Sequence, residues 1–366
     1  MKERIQLFAN SLREQNISCA FVTSTANVYY LTGFLCHPHE RLLGVMVFPD
    51  QEPILVCPGM EAPQARAAGF KDEIIGYSDS ENPWDLLGKA VSKRNLRALE
   101  SIAVEKEQIS YERGLNLLSL FPNAELVSAE HQLNAMRIIK SEDEIKAMRE
   151  AARLADFAVE VGMSTIAKGK TEQEIVAQIE FEVKKKGVSE MSFSTTVLFG
   201  EKSARPHGTP GLREIQPGDF VLFDLGVVVD GYCSDITRTF AYQSVSEKQR
   251  EIYEIVKKAE EAAIAVSKPG TRLGDIDLAA RKVIEEAGYG EYFPHRIGHG
   301  LGLEVHEFPS MSSNNDEQVK AGMTFTIEPG IYVPDIGGVR IEDDIYVTEN
   351  GPESLTKFPK ELHIIK

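Results

Sequence analysis

The sequence predicts an α+β protein of two unequal domains, a smaller α/β domain at residues 1–130 and a larger domain at 131–366 that carries an internal pseudo-twofold duplication. Three observations predict it. At 366 residues the chain exceeds one typical domain. In its first part, short apolar runs alternate with segments of helical period, the pattern of an α/β unit. In its second part, a shift of 101 residues aligns Gly169 with Gly270, Ile175 with Ile276, Val183 with Ile284 and Gly187 with Gly288. Each half then reads as long helix, glycine turn, second helix, glycine stop and strands, which a duplication explains economically.

The elements follow in order. Ile5, Leu7, Phe8 and Leu12 give a helix from Lys2 to about Gln15, and the apolar run from Cys19 to Thr23 follows. An apolar stretch, VYYLTGF, leads into a loop, CHPHERLLG. Strands are expected at Leu43 to Phe48 and Ile54 to Cys57 around a turn at Pro49-Asp50, then a helix from Glu61 to Ala68 and a strand from Ile74 to Tyr77. A helix from Pro83 to Ser92 and a strand from Ile102 to Val104 complete a unit ending near Leu126, and residues 128–139 bridge into the second domain. Ser141 with Glu144 forms a capping box for a helix running to about Gly162, and Ser246 with Gln249 repeats that signal.

Bulk properties exclude several functions. Hydrophobic residues make up 42% and charged residues 26%, an ordinary globular composition. The net charge of −16 opposes nucleic acid or an anionic membrane as partner and leaves small peptides or metabolites. The four cysteines, Cys19, Cys36, Cys57 and Cys233, lack CxxC spacing, so neither a zinc knuckle nor a disulfide framework is expected. No stretch has the length of a bilayer span, and Met1-Lys2-Glu3-Arg4 opens an amphipathic pattern rather than a signal peptide, so a soluble, cytoplasmic protein is expected.

The chemistry is carried by acids on apolar strands. PGDFVLFDLG delivers Asp224 and AGMTFTIEPG delivers Glu328; aligning Gly218 with Gly322 superposes Gly226 on Gly330 without a gap. A second acid follows each, Asp235 and Glu342. Asp230-Gly231 is a primed-turn signal that places Asp235 opposite Gly226, with Asp224 and Asp235 as diagonal neighbours on one sheet face. Pro329, Pro334 and Gly337-Gly338 leave the register of Glu328 and Glu342 open. Between the arms, GHGLGLEVHEFP supplies His299, which has no mate, and His306, which shares a His-x-x-Pro spacing with His207. A lone acid here would be a solvated strand residue. Four together, buried without compensation, would be prohibitively costly, so divalent cations should lie between them. Four carboxylates neutralise two such ions. Oxygen-dominated ligation with one imidazole favours Mn(II), Co(II) or Fe(II) over a thiolate-type zinc site, with Zn(II) still open. Two bridged ions would acidify a water into a nucleophile, the equipment of a hydrolase, while His207 and His306 could stabilise an oxyanion or move a proton.

These motifs, in this order, resemble the pita-bread metallopeptidases, in the branch of Xaa-Pro dipeptidases (prolidases) and Xaa-Pro aminopeptidases; methionine aminopeptidases are more distant. The resemblance spans the chain, through SARPHGTP, FDLG, GYCSDITRTF, HRIGHGLGLEVHEFP, IEPGIY and GVRIEDD. It implies a creatinase-like N-terminal domain before a pita-bread catalytic domain. It also implies Asp224, Asp235, His299, Glu328 and Glu342 as metal ligands, with Asp235 and Glu342 bridging, His207 and His306 as substrate and intermediate histidines, and Glu328 as the proton acceptor. Arg340, two residues before Glu342, is either a counter-ion to the acids or a binder of a substrate carboxylate. His295 is read as a pocket wall. In CHPHERLLG a solvated loop is the default; the family implies a homodimer in which such a loop, with His39, reaches the partner's site. His37 stands where an acid is usual, which puts substrate preference there in doubt. GHGLGL lacks the dinucleotide fingerprint. The expected activity is hydrolysis of Xaa-Pro dipeptides by a metal-bridging hydroxide. The alternatives are an aminopeptidase on longer Xaa-Pro peptides, a metal-free creatinase-type hydrolase and a catalytically silent binding module.

Overall fold

Residues 2–94, 96 and 99–366 are described in a computed structural model. They fall into two compact units, one reaching Met136 and one beginning at Arg137. The first unit contains α1 (Lys2–Glu14), α2 (Thr25–Thr32), α3 (Ala62–Ala67), α4 (Pro83–Lys93) and α5 (Tyr111–Leu120), and α6 (Glu130–Arg137) closes it, its last residue already belonging to the second unit. Its six strands are β1 (Cys19–Val22), β2 (Gly44–Val47), β3 (Ile54–Pro58), β4 (Glu73–Tyr77), β5 (Ser101–Val104) and β6 (Glu125–Ser128), in one sheet of order β4-β3-β2-β1-β5-β6. Only β2 runs antiparallel to its neighbours. Strands β1 to β3 are buried throughout, which accounts for continuous apolar runs in place of alternation.

VYYLTGF lies largely in α2, a helix the sequence does not announce because Val28, Tyr30 and Leu31 are all buried and no polar face marks the period. Ser24 caps it, and buried Glu105 accepts from the Thr23 and Ser24 backbone amides and from Asn27 Nδ2. His39 lies on the loop after α2 at a left-handed φ of 56°.

The second unit contains α7 (Glu142–Thr165), α8 (Glu172–Lys185), α9 (Glu247–Val266) and α10 (Leu273–Glu286). Its strands are β7 (Thr196–Phe199), β8 (Phe220–Leu225), β9 (Val228–Val229), β10 (Tyr232–Cys233), β11 (Ile236–Tyr242), β12 (His299–Gly300), β13 (Glu307–Ser310), β14 (Thr324–Ile327), β15 (Gly330–Val333), β16 (Gly337–Arg340), β17 (Asp343–Thr348), β18 (Gly351–Ser354) and β19 (Ile364–Ile365). The duplication is visible in the packing. Helices α7 and α8 share a core with β7, β8 and β11, and α9 and α10 share one with β14 and β17. Capping boxes open α7 at Ser141 and α9 at Ser246, where the sequence places them. Helix α7 continues past Gly162 to Thr165; that glycine is no stop but a contact point, since a Cβ there would lie 2.7 Å from the Phe223 ring.

The sheets are β19-β11-β8-β7 and β13-β12-β14-β17-β18, with hairpins β9-β10 and β15-β16. Asp230 and Gly231 both have positive φ, 49° and 81°, as a type I′ turn requires. Ile236 then pairs with Leu225 and Thr237 with Asp224, the expected register. The register left open for Glu328 and Glu342 is settled by β14 and β17, where Ile327 pairs with Asp343, and an isolated bridge from Glu342 to Thr237 brings the second arm onto β11.

Gly226, opposite Asp235, has no room for a side chain: a Cβ would lie 1.8 Å from the Ser234 carbonyl oxygen. Gly226→Ala should therefore cost about 4 kcal/mol or more and lower the unfolding midpoint by roughly 10 °C in a calorimetric scan. An unchanged midpoint would contradict this packing.

Candidate metal centre

Asp224 leaves the end of β8, Asp235 the residue before β11, His299 the start of β12, Glu328 the residue after β14 and Glu342 the step from β16 to β17. All five line one cavity of about 640 Å³, together with His207, His295, Arg296, His306 and Arg340. Asp235, His299 and Glu342 each offer a ligand atom within 4.8 Å of the others, and all three are buried.

His299 is held in one orientation. Its Nδ1 lies 3.1 Å from the Gly300 carbonyl oxygen, which assigns the proton to Nδ1 and leaves the Nε2 lone pair facing the acids. Burial, and then His306, lowers its pKa to about 3, so the ring is neutral. Nε2 lies 3.7 Å from Asp235 Oδ2 and 3.6 Å from Glu328 Oε1. These separations exceed a hydrogen bond and match two ligands that each lie about 2 Å from a shared cation. Asp235 Oδ1 is buried with no hydrogen-bond partner among the described residues.

The acids repel one another. Burial, then Glu342 and Asp224, pushes Asp235 well above the usual carboxylate range. Burial and Glu342 do the same to Glu328, and burial with Asp224 raises Glu342 to about 8. No cationic side chain reaches Asp235 or Glu342 in an ion pair among the described residues; Glu342 accepts instead from Thr237 Oγ1. An orphaned buried oxygen, a neutral imidazole aimed at carboxylates and uncompensated negative charge together fit divalent cations. The donor set, oxygens plus one nitrogen and no thiolate, fits hard or borderline ions.

Asp224 is different, because Arg340 grips it. The buried Arg340 guanidinium donates to Asp224 Oδ2, to Thr237 Oγ1 at 3.0 Å and to the Tyr332 hydroxyl at 2.9 Å. Every arm of the fork is engaged, the geometry of a counter-ion. Tyr332 in turn lies 2.9 Å from His295 Nε2, while His295 Nδ1 faces the Arg296 carbonyl at 2.8 Å. Burial lowers His295 to about 4, so it is a neutral acceptor for the Tyr332 proton. Tyr332 closes the IEPGIY motif, and this chain of contacts makes it a candidate site residue that the sequence analysis did not single out.

The His306 ring packs edge-on against His299 with centroids 4.0 Å apart, and burial lowers its pKa. His207 lies on the irregular segment after β7. That segment is pinned by Glu172 of α8, which accepts from Phe199 N at 3.0 Å, Gly211 N at 2.7 Å and Lys202 Nζ.

A pH dependence follows. The pKa of Glu342 is about 8 in the folded, metal-free protein against an ordinary 4.5, so folding there takes up protons. The contribution of Glu342 to the stability of metal-depleted protein should be greatest below that lower value and fall as pH rises toward the upper one, because the acids must then charge against one another. Glu342→Gln should raise the melting temperature of metal-depleted protein near pH 8, and saturating metal should erase the difference. A metal-depleted protein that becomes more stable between about pH 6 and pH 8 would show the acids to be compensated internally.

Comparison with known proteins agrees with this geometry. Residues 146–349 match metallopeptidase family M24, and residues 4–139 match the creatinase/prolidase N-terminal domain. A provisionally named dipeptidase of Bacillus subtilis (strain 168), YkvY, is 58% identical over 362 residues, covering 99% of both chains. The prolidase from Pyrococcus horikoshii OT3 superposes with a TM-score of 0.91 at 36% identity, covering 98% of this chain and 99% of that one. The Xaa-Pro dipeptidase from Bacillus anthracis gives 0.92 at 35% identity over 99% of each, and the X-Pro aminopeptidase from Thermotoga maritima 0.87 at 30% over 97% and 100%. The chain is a member of metallopeptidase family M24, with a creatinase-type N-terminal domain and a pita-bread catalytic domain.

Proposed function

We propose that this metallopeptidase is an Xaa-Pro dipeptidase, which cleaves the bond between an N-terminal residue and proline. The observation that carries the reading is the convergence of Asp235, His299 and Glu342 in a cavity also lined by Asp224, Glu328 and two further histidines. Likeness to solved prolidases along nearly the whole chain supports the choice of substrate.

Asp224, Asp235, His299, Glu328 and Glu342 would hold two divalent cations, Mn(II) or Co(II) before Zn(II) or Fe(II). When bound, such ions supply a hydroxide nucleophile near neutral pH and polarise the scissile carbonyl. The remaining work belongs to the chain. Glu328, whose proton affinity is raised by burial and by Glu342, accepts the proton of the attacking water. His306 and His207 donate to the developing oxyanion, and one of them delivers a proton to the proline nitrogen, which as a tertiary amide cannot leave unprotonated. Arg340 fixes Asp224 and, through Tyr332, the wall formed by His295. Substrate contact by Arg340 would use the face its three hydrogen bonds leave open. The reading includes a homodimer in the cytoplasm, with the loop bearing His39 reaching the partner's cleft.

Metal-depleted protein should regain activity with Mn(II) or Co(II) and cleave Ala-Pro faster than Ala-Pro-Ala, with Met-Ala-Ser far behind. Preference for Ala-Pro-Ala would make it an aminopeptidase, and equal rates on Met-Ala-Ser would point to methionine removal. Asp235→Ala should lose metal by elemental analysis and lose turnover; full activity in a demonstrably metal-free sample would end the proposal. His306→Ala should keep its metal and lose about 10²-fold or more in kcat. Undiminished kcat there would remove His306 from the chemistry.

A further inference from the structure

The segment that carries His306 has almost no ladder to hold it. Residues 302–306 form bends, β12 is two residues long, and its pairing with β13 shifts register between His299 and Gly300. His306 is nonetheless held edge-on against His299. The restraint comes from its sequence neighbours. Glu307, with a side chain 6% exposed, receives Arg137 and, at 2.7 Å, Lys140 Nζ. Arg137 also reaches Glu304 at 2.9 Å, so one guanidinium spans both sides of His306. The side chains of Arg137 and Lys140 are 6% and 1% exposed. Gly302 completes the fit, because a Cβ there would lie 2.5 Å from Glu307 Oε1. At the other end of the segment Cys233 N donates to the Gly302 carbonyl at 2.8 Å.

We propose that Arg137 and Lys140 are positioning residues for the reaction: by gripping Glu304 and Glu307 they fix segment 302–307 and hold the His306 ring at the metal ligand His299. The inference rests on the reading of His306 as a reacting histidine. Stability alone is a poor reason for the arrangement, since well-packed apolar residues usually replace a buried ion pair at no loss. What apolar residues would not supply is direction. The guanidinium fork and the ammonium fix both carboxylate oxygens of Glu307, and therefore the backbone next to His306. Burial alone would raise the Glu307 pKa, but Lys140 and Arg137 outweigh it and hold the carboxylate charged. The clamp therefore stays ionised across the neutral range.

The test compares Arg137→Met with Arg137→Lys in metal-loaded full-length protein, beside a control, Glu105→Gln, that loses a buried carboxylate in the first unit. Arg137→Met should lower kcat on Ala-Pro by about 10²-fold while KM and metal content stay close to wild type, since a small misplacement of a reacting group acts on the chemical step. Arg137→Lys should recover part of the loss, and Glu105→Gln should leave kcat within about twofold. Hydrogen exchange of peptides covering 302–308 should speed up about tenfold in Arg137→Met and stay unchanged in the control. If Arg137→Met does not fold, Arg137→Gln keeps a neutral hydrogen-bond donor beside Glu307, which still has Lys140 as its cation, and should show the same two effects. Unchanged exchange at 302–308, or kcat within about twofold of wild type, overturns the proposal. If wild-type protein cleaves no dipeptide, the functional reading fails by itself, and the exchange measurement still decides whether Arg137 fixes the segment.

Discussion

The structure depends on mutual repulsion among carboxylates that the backbone forces together. Glu342 and Asp343 make the point, because they are adjacent in sequence, both buried, and opposite in behaviour. Burial would raise Asp343, but Arg238 and Lys360 outweigh it, and its pKa falls below the usual range. Glu342, with no such ion-pair partner among the described residues, rises to about 8 under burial and Asp224. The protein thus supplies its own cations to one acid and withholds them from the next. The same division separates Glu172 and Glu307, each paired with lysine or arginine, from Asp235 and Glu328. Acids left without an internal cation and gathered around one cavity with a neutral imidazole mark where an external cation belongs.

Rigidity has to come from somewhere, because His207, His295 and His306 sit on irregular backbone and His299 opens a strand of only two residues. In each case an ion pair with a buried carboxylate supplements or replaces the ladder. Glu172 with Lys202 holds the segment of His207. Asp277 accepts from Ile297 N at 2.9 Å and pairs with Arg281, which donates to the Phe293 and His295 carbonyls ahead of His299. Arg137 and Lys140 hold the segment of His306. Loops that carry reactive groups can therefore be short of regular hydrogen bonds without being free to wander.

Much of this was legible in the sequence where local chemistry decides the outcome. Asp230-Gly231 dictated a two-residue turn, and the turn dictated which residues oppose Asp224 and Asp235. Ser141 and Ser246 announced their helices for the same reason, since a cap is satisfied within one turn. Placement that depends on distant partners was not legible. Glu342 takes its position from a bridge to Thr237, and Tyr332 matters only because Arg340 and His295 meet it. Helix α2 leaves no such mark, because five of its eight residues are buried and no polar face sets the period that reveals a helix.

The Thr237–Glu342 bridge joins strands from opposite halves of the duplicated unit, residues 105 positions apart that also share a side-chain hydrogen bond. Neither half alone lines the whole cavity, because Asp224 and Asp235 arrive with one and His299, Glu328 and Glu342 with the other. A cation held in that cavity would therefore depend on the pairing of the two halves and would act as a rivet between them.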